Sequence, residues 1–127
     1  MVMAAITVSE VRVVSDLVKW SNPDIYSNEM GTLAASQSVD IGTPLGVVTA
    51  SGQLVVWNPT AADGSQTLVG FALRAYTTGV GGTEPLAYKA RHAVVSSTGI
   101  LWPAGTTAAQ IAAALAEVPS IIVRAGE

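Results

Sequence analysis

The stretch from Ile41 to Ala75, IGTPLGVVTASGQLVVWNPTAADGSQTLVGFALRA, contains the features that decide the fold. Two β-prone runs, Leu45 to Ala50 and Gln53 to Trp57, are separated by Ser51-Gly52. This spacing predicts an antiparallel hairpin with a two-residue turn. A loop rich in turn residues follows, and the run 67–75 is predicted to form a third strand. The chain is therefore expected to be organised around a small antiparallel β unit.

The predicted hairpin has an unusual distribution of apolar residues. A two-residue turn would place Ala50 opposite Gln53, and Gly46 would then lie opposite Trp57, so that the indole covers a residue with no side chain. An antiparallel ribbon with one wet face alternates apolar and polar residues, but here both faces are apolar. We therefore expect cover on both faces, from the same domain or from another subunit. The residues assigned to the core or to a subunit interface are Val47, Val48, Val55, Val56, Trp57 and Trp102.

Size and composition limit the classes of protein to consider. The chain has 127 residues, enough for one domain with a sizeable core. Hydrophobic residues make up 50% and charged residues only 12% of the sequence, and the mean hydropathy is +0.46. No run reaches the roughly 18 apolar residues of a membrane-spanning helix. The composition therefore favours a subunit whose surface is largely covered by protein partners, and it predicts no membrane partner.

The charged and reactive residues predict no chemistry. The net charge is −3 and the six Lys and Arg residues are dispersed, so a nucleic-acid partner is not expected. Cysteine is absent, which fits a reducing cytosol without requiring one. His92 is the only histidine, and the carboxylates of Asp40, Asp63 and Glu84 stand beside turn residues, where Asp caps local backbone groups. The sequence predicts no catalytic residues, metal site or cofactor, and hence no enzyme.

One helix and the N-terminal start complete the predicted organisation. Thr107 and Gln110 match a capping box, and Pro119 is a stop signal, which together predict a helix over about 107–118 with Ile111, Leu115 and Val118 as its apolar stripe. The start, MVMAAITVSEVRVVSD, lacks the basic and apolar regions of a signal peptide. Many short strands with one helix indicate a mainly β domain with barrel-like closure.

The N-terminal residues form a separate unit in this interpretation. Residues 1–22 contain β-prone runs but no tight turn that would pair them with a neighbour, whereas 23–127 reads as a single β-rich domain. The segment is therefore either an ordinary first strand or an extended arm that adds a strand to the sheet of another protein.

The central stretch resembles a known family. The runs GTPLGVVTASGQLVVWNP and ADGSQTLVGFAL, followed by Arg91, GILWP and the closing IIVR, are similar to the lambda-type head-decoration (capsid cement) proteins of tailed bacteriophages. The resemblance covers roughly 27–124 and rests on the order and spacing of these runs.

The resemblance implies a small β-clip-like domain that binds the exterior of the expanded phage capsid. It implies a homotrimer at threefold or quasi-threefold sites, with the major capsid protein as partner, which stabilises the virion shell after synthesis in the host cytoplasm. By position, it also implies that the N-terminal arm binds the capsid, through Ile6, Val8, Val11, Val13, Val14 and Trp20. The alternative from the residues alone is a non-enzymatic β-barrel module that binds a small ligand or a glycan.

Overall fold

The computed structural model describes residues 13–21, 23 and 27–125. These ranges contain ten strands and one α-helix, α1, and no helix in them is long and apolar enough to cross a membrane. Two single 3-10 turns lie at Val14–Asp16 and Ser97–Gly99. The helix α1 spans Ala108–Leu115, and the strands are β1 (Val18–Ser21), β2 (Asn28–Leu33), β3 (Ser38–Val39), β4 (Pro44–Val47), β5 (Leu54–Val56), β6 (Gly70–Ala72), β7 (Tyr76–Thr77), β8 (Glu84–Lys89), β9 (Ala93–Ser96) and β10 (Ile121–Arg124).

The strands form a closed barrel and two smaller sheets. The barrel has the order β2-β5-β4-β6-β8, a three-stranded sheet has the order β1-β9-β10, and β3 pairs with β7. In the three-stranded sheet, β9 lies in the centre, antiparallel to β1 and parallel to β10. The predicted fold class, mainly β with barrel-like closure and one short helix, is confirmed.

Two apolar clusters fill the domain. In the first, each barrel strand contributes one fully or almost fully buried residue to the barrel interior: Leu33, Leu54, Leu45, Ala72 and Leu86. The second cluster joins the barrel to the three-stranded sheet and to α1, and it includes Leu17, Trp57, Phe71, Val95, Ala114, Val118 and Ile121. The three-stranded sheet is therefore covered by the core on one of its two faces.

The predicted hairpin is present in the structure, but the predicted two-residue turn and the predicted register are wrong. Val47 lies opposite Leu54, and the amide of Val48 donates to the carbonyl of Gln53, so four residues close the turn. A two-residue hairpin turn needs a positive φ at its first residue, Ser51. In the structure only Gly52 adopts one, at +71°. The observed register differs from the predicted one by two residues, so each side chain stays on the face of the sheet where it was predicted to lie.

Gly46 is covered by the backbone of Ser65. The prediction that the indole of Trp57 covers it is therefore wrong. Gly46 lies opposite Val55, and a Cβ at this position would collide with the carbonyl oxygen and Cα of Ser65. The amide of Trp57 instead donates to the carbonyl of Pro44, 2.9 Å away. Because Gly46 has no side chain, the loop that follows β5 can pack directly on it. The strand predicted over 67–75 is shorter in the structure, where β6 has three residues.

The helix begins as predicted and ends earlier. Gln110 N–H donates to the Thr107 hydroxyl at 3.1 Å, and the amide of Thr107 donates to the side-chain oxygen of Gln110 at 2.9 Å, which confirms the capping box. The helix ends at Leu115, and the chain continues in a turn to Val118, whose amide donates to the carbonyl of Leu115. Ala114 and Val118 are buried, whereas Leu115 is only half-buried; a predicted stripe of large residues is thus partly replaced by an alanine contact.

We expect Thr107→Ala to lower the free energy of unfolding by about 1 kcal/mol, because it removes the side-chain acceptor of the capping box. Thr107→Ser keeps that hydroxyl and serves as the matched control. Chemical denaturation of the three proteins gives the difference. Equal losses for the alanine and serine variants would attribute the effect to the threonine methyl group and not to the cap.

The C-terminal part of the predicted N-terminal arm belongs to the domain. β1 pairs with β9, with Val18 opposite Val95, so the expectation that this segment lacks a partner within the chain is wrong for its last residues. Leu17 is fully buried in the second core cluster. Pairing with a strand so far along the chain leaves no local turn signal, and this is why the sequence did not predict it. The boundary between arm and domain at residues 22 and 23 otherwise stays a prediction.

Candidate functional site

The two tryptophans assigned to the core or to an interface lie against each other. Trp57 is 2% exposed, and its Nε1 donates to the carbonyl of Gln66 at 2.9 Å. Its ring meets that of Trp102 edge-on, with centroids 5.3 Å apart, and the ring of Phe71 also meets Trp102 edge-on, with centroids 6.1 Å apart. Such edge-to-face pairs stabilise beyond the burial of area. Within one chain, both tryptophans are packing residues.

The four valines of the hairpin are partly covered. Val47, Val48, Val55 and Val56 are all half-buried within one chain, and Val47 and Val56 pack against the barrel core. Each therefore retains accessible apolar surface. Cover of this surface by another subunit stays a prediction.

Val55 provides a test of that cover. It lies opposite Gly46 and so has no side chain directly opposite it on β4. We expect Val55→Ala to cost about 1 to 3 kcal/mol from lost burial and a residual cavity. If another subunit covers Val55, the loss grows with protein concentration, because association then stabilises the wild type more than the variant. Denaturation at two concentrations measures this, and a loss near zero at both would mean that Val55 is simply exposed.

Three of the predicted arm residues, Ile6, Val8 and Val11, lie outside the described residues. Val13 and Val14 precede and begin a 3-10 turn and are 50% and 44% exposed. Trp20 lies on β1 and is 57% exposed, the largest apolar side chain on the described surface. The structure thus places Trp20 on a sheet of the domain and not on a free arm.

The strand register places further apolar residues beside Trp20. Trp20 lies opposite Val94 in β9, and Val94 lies opposite Ile122 in β10. Val94 is half-buried, and Ile122 is 50% exposed. Neither Val94 nor Ile122 is among the site residues predicted from the sequence. The signal was available in IIV, the start of β10, since a strand with apolar residues at consecutive positions presents them to both faces.

The exposed cations differ in their surroundings. Arg74 pairs with Glu84 at 3.0 Å and lies over the ring of Tyr76, 4.7 Å from its centroid, and Arg91 pairs with Glu29. Lys19 and Arg124, which lie in the three-stranded sheet, have no carboxylate within ion-pair distance among the described residues. Within the described part of the chain, the Lys19 ammonium donates only to the backbone carbonyl of Ser15, at 2.6 Å.

The titratable groups do not converge. His92 is exposed and adopts a left-handed φ of 55° at a bend, where its amide donates to the hydroxyl of Ser120. The pKa of Asp63 is lowered because its carboxylate accepts hydrogen bonds from the side chain and backbone of Ser65. Burial raises the pKa of Tyr88. No three acidic, histidine or cysteine side chains in the described ranges are grouped as metal ligands.

The surface clefts are open, and the barrel interior is filled. One cleft of about 420 Å³ lies between the segment that follows β5 and the turn before α1, lined by Trp57, Pro59, Pro103 and Gln110 among others. It contains no charged side chain. The barrel interior holds the apolar side chains of the first core cluster. The most distinctive exposed surface is instead the outer face of the three-stranded sheet.

Comparison with known proteins assigns the family. No curated protein sequence matches the chain significantly. The family model of the bacteriophage lambda head decoration protein D matches residues 7–121. The match begins well before residue 27, where the resemblance noted in the sequence begins, so it takes in most of the N-terminal segment. Since the matched region covers most of the chain, this protein belongs to the lambda head decoration protein family and has a structural, capsid-decorating role.

Proposed function

We propose that this protein binds the outside of the expanded head of a tailed phage at threefold or quasi-threefold positions, as a homotrimer, and stabilises the shell. Membership of the decoration family carries the proposal. The composition supports it, because a chain with 12% charged residues has little charge for a free-standing surface. The exposed apolar side chains of the hairpin and of the three-stranded sheet provide surfaces for partner subunits.

The N-terminal arm is the proposed grip on the shell. Residues from about Ile6 to Val14 would pair as a strand with a capsid sheet, while alternate side chains fill shallow pockets. The family match extends into this segment, and its last two residues, Val13 and Val14, which are the first that the structure describes, are exposed. The partner in this proposal is the major capsid protein, and the mechanism needs neither nucleic acid nor a cofactor.

The alternative, a β-barrel module for a small ligand or glycan, has less support. A ligand inside the barrel would have to displace the side chains that fill it, such as Leu45 and Leu86. The open cleft beside Trp57 offers polar side chains but no charged group that would orient a ligand. No observation favours this function over capsid decoration.

Co-sedimentation with phage shells tests the proposal. We expect the protein to sediment with expanded shells and to remain in solution with unexpanded shells of the same phage, which serve as the matched control. Negative-stain images should then place added density at the threefold positions, and decorated shells should withstand heating better than bare ones. Light scattering reports whether three chains associate. Failure to bind expanded shells, or density elsewhere on the lattice, would contradict the proposal.

A further inference from the structure

The outer face of the three-stranded sheet carries an apolar row that crosses all three strands. Trp20, Val94 and Ile122 are neighbours by register, and their side chains lie on the face opposite to the core residues Val95 and Ile121. Nothing within the described chain covers Trp20 or Ile122. The other exposed large apolar side chains outside this sheet and the turn that leads into it are dispersed: Met30, Tyr76, Val80 and Leu101. A contiguous exposed row of this kind is typical of an interaction surface, whereas single exposed residues are ordinary.

Positive charge borders the row. Lys19 is the extra residue of a bulge between Val18 and Trp20, and Arg124 ends β10 two residues after Ile122. The strands β1, β9 and β10 contain no acidic residue, although the whole chain has a net charge of −3. The two other arginines of the described chain, Arg74 and Arg91, are already paired with glutamates. This face therefore combines an exposed apolar centre with cations that are available to an external carboxylate.

We propose that this face is a second capsid contact, separate from the N-terminal arm, which docks on an apolar patch of the shell bordered by carboxylates. The inference rests on the proposed function. Charge complementarity selects the chemistry of the occupant, because Lys19 and Arg124 favour a partner surface that carries carboxylates, and two copies of this same face would bring like charges together, at a cost. Continuity of the chain supports the same occupant: β1 directly follows the segment that forms the proposed arm, so a shell held by the arm is within reach of this face.

The two contacts have different roles in this arrangement. The arm supplies reach and, once ordered, backbone pairing. The sheet face needs no ordering, since its strands are already paired, and a preformed surface binds without that entropic loss. Trp20 supplies the largest apolar contact, and tryptophan is enriched among the residues that dominate binding energy at interfaces. The face thus fixes the orientation of the domain on the shell.

Two substitutions test the face, in the full-length chain with purified expanded shells. Ile122→Glu and Trp20→Glu place a carboxylate in the apolar row, where it opposes the carboxylates of the shell, and we expect each to weaken shell binding by a factor on the order of ten to a hundred. Met30→Glu is the matched control: Met30 is 65% exposed on barrel strand β2, and its replacement should leave binding unchanged. Circular dichroism and thermal unfolding verify that each variant is folded. If Trp20→Glu unfolds, Ile122→Glu at the sheet edge decides the question.

A double variant tests the charges. The protein that carries both Lys19→Gln and Arg124→Gln should bind the shell more weakly, and its binding should depend less on salt, because ionic screening acts on the pairs that these cations form. If the wild type binds shells and the Ile122→Glu and Trp20→Glu variants bind them equally well, this inference is overturned and the proposed function is left intact. Absence of wild-type binding would instead refute the proposed function. Loss of trimer assembly by Ile122→Glu, measured by light scattering, would identify the face as a contact between copies and also overturn the inference.

Discussion

Replacing Trp57 by alanine should lower the free energy of unfolding by about 3 to 5 kcal/mol, the range for a buried aromatic side chain. Trp57 is almost fully buried, contacts Trp102 edge-on and donates its indole N–H to the carbonyl of Gln66. The alanine variant loses all three interactions and leaves a cavity between the barrel and the three-stranded sheet. Most small domains have a total stability of only about 5 to 15 kcal/mol, so this variant should be close to unfolded. Urea denaturation followed by circular dichroism measures the loss.

Two further variants separate the contributions at this position. Trp57→Phe retains an aromatic ring and removes the donor to Gln66, so its loss should be smaller, about 1 to 3 kcal/mol. Trp102→Ala removes the same edge-on pair from a half-buried position, and we expect a loss between those of the two Trp57 variants. A Trp57→Ala variant within 1 kcal/mol of the wild type, or a phenylalanine variant as unstable as the alanine one, would contradict the assignment of Trp57 to the core.

Local patterns predicted those parts of the fold that neighbouring residues determine. The capping box of Thr107 and Gln110 acts within one turn of chain, and the structure confirms it. The hairpin was predicted at the right place because its two runs adjoin. The predicted register was wrong because the spacing of Ser51-Gly52 satisfies a two-residue turn, whereas Ser51 does not adopt the positive φ that such a turn requires at its first residue. The conformational preferences of Ser51 and Gly52 were therefore a better guide to the turn type than the number of residues between the two strands.

Pairings between distant strands could not be read from the sequence. β1 pairs with β9, and β10 pairs with β9 in parallel. These pairings bring Trp20, Val94 and Ile122 into one row, and none of the three has a sequence neighbour that indicates the other two. For the same reason Trp20 was predicted to lie in the arm, since a strand without a hairpin partner resembles a free segment. The exposed face depends on tertiary pairing and was accessible only from the structure.

The described contacts decide where the N-terminal arm can be removed. The amide of Val13 donates to the Asp16 carboxylate at 2.9 Å, and the backbone of Asp16 packs so closely on Gly99 that a Cβ there would collide with it. Leu17 then enters the core. A deletion that extends through Asp16 would remove part of this packing. Deleting Met1 to Arg12 instead leaves the 3-10 turn and β1 intact while it removes most of the proposed capsid-binding strand.

Deletion of Met1 to Arg12 should leave a folded domain that binds expanded shells about 10² to 10⁴-fold more weakly. One arm binds weakly, because ordering its residues costs about 1 to 2 kcal/mol each in backbone entropy. In a trimer, the second and third arms bind at high effective concentration once the first is engaged, and avidity gains of about 10² to 10⁴ are typical of such linkage. Removal of the arms eliminates that gain and leaves the sheet face as the remaining contact.

The measurement is co-sedimentation of the full-length and truncated proteins with expanded shells over a range of concentrations. A full-length variant with Ile6, Val8 and Val11 replaced by aspartate is the matched control for chain length, and it should bind as weakly as the truncated protein. If the aspartate variant binds like the wild type while the truncated protein does not, backbone pairing alone holds the arm. Equal binding by all three proteins would exclude the arm from the mechanism, because the domain surface would then account for the whole affinity.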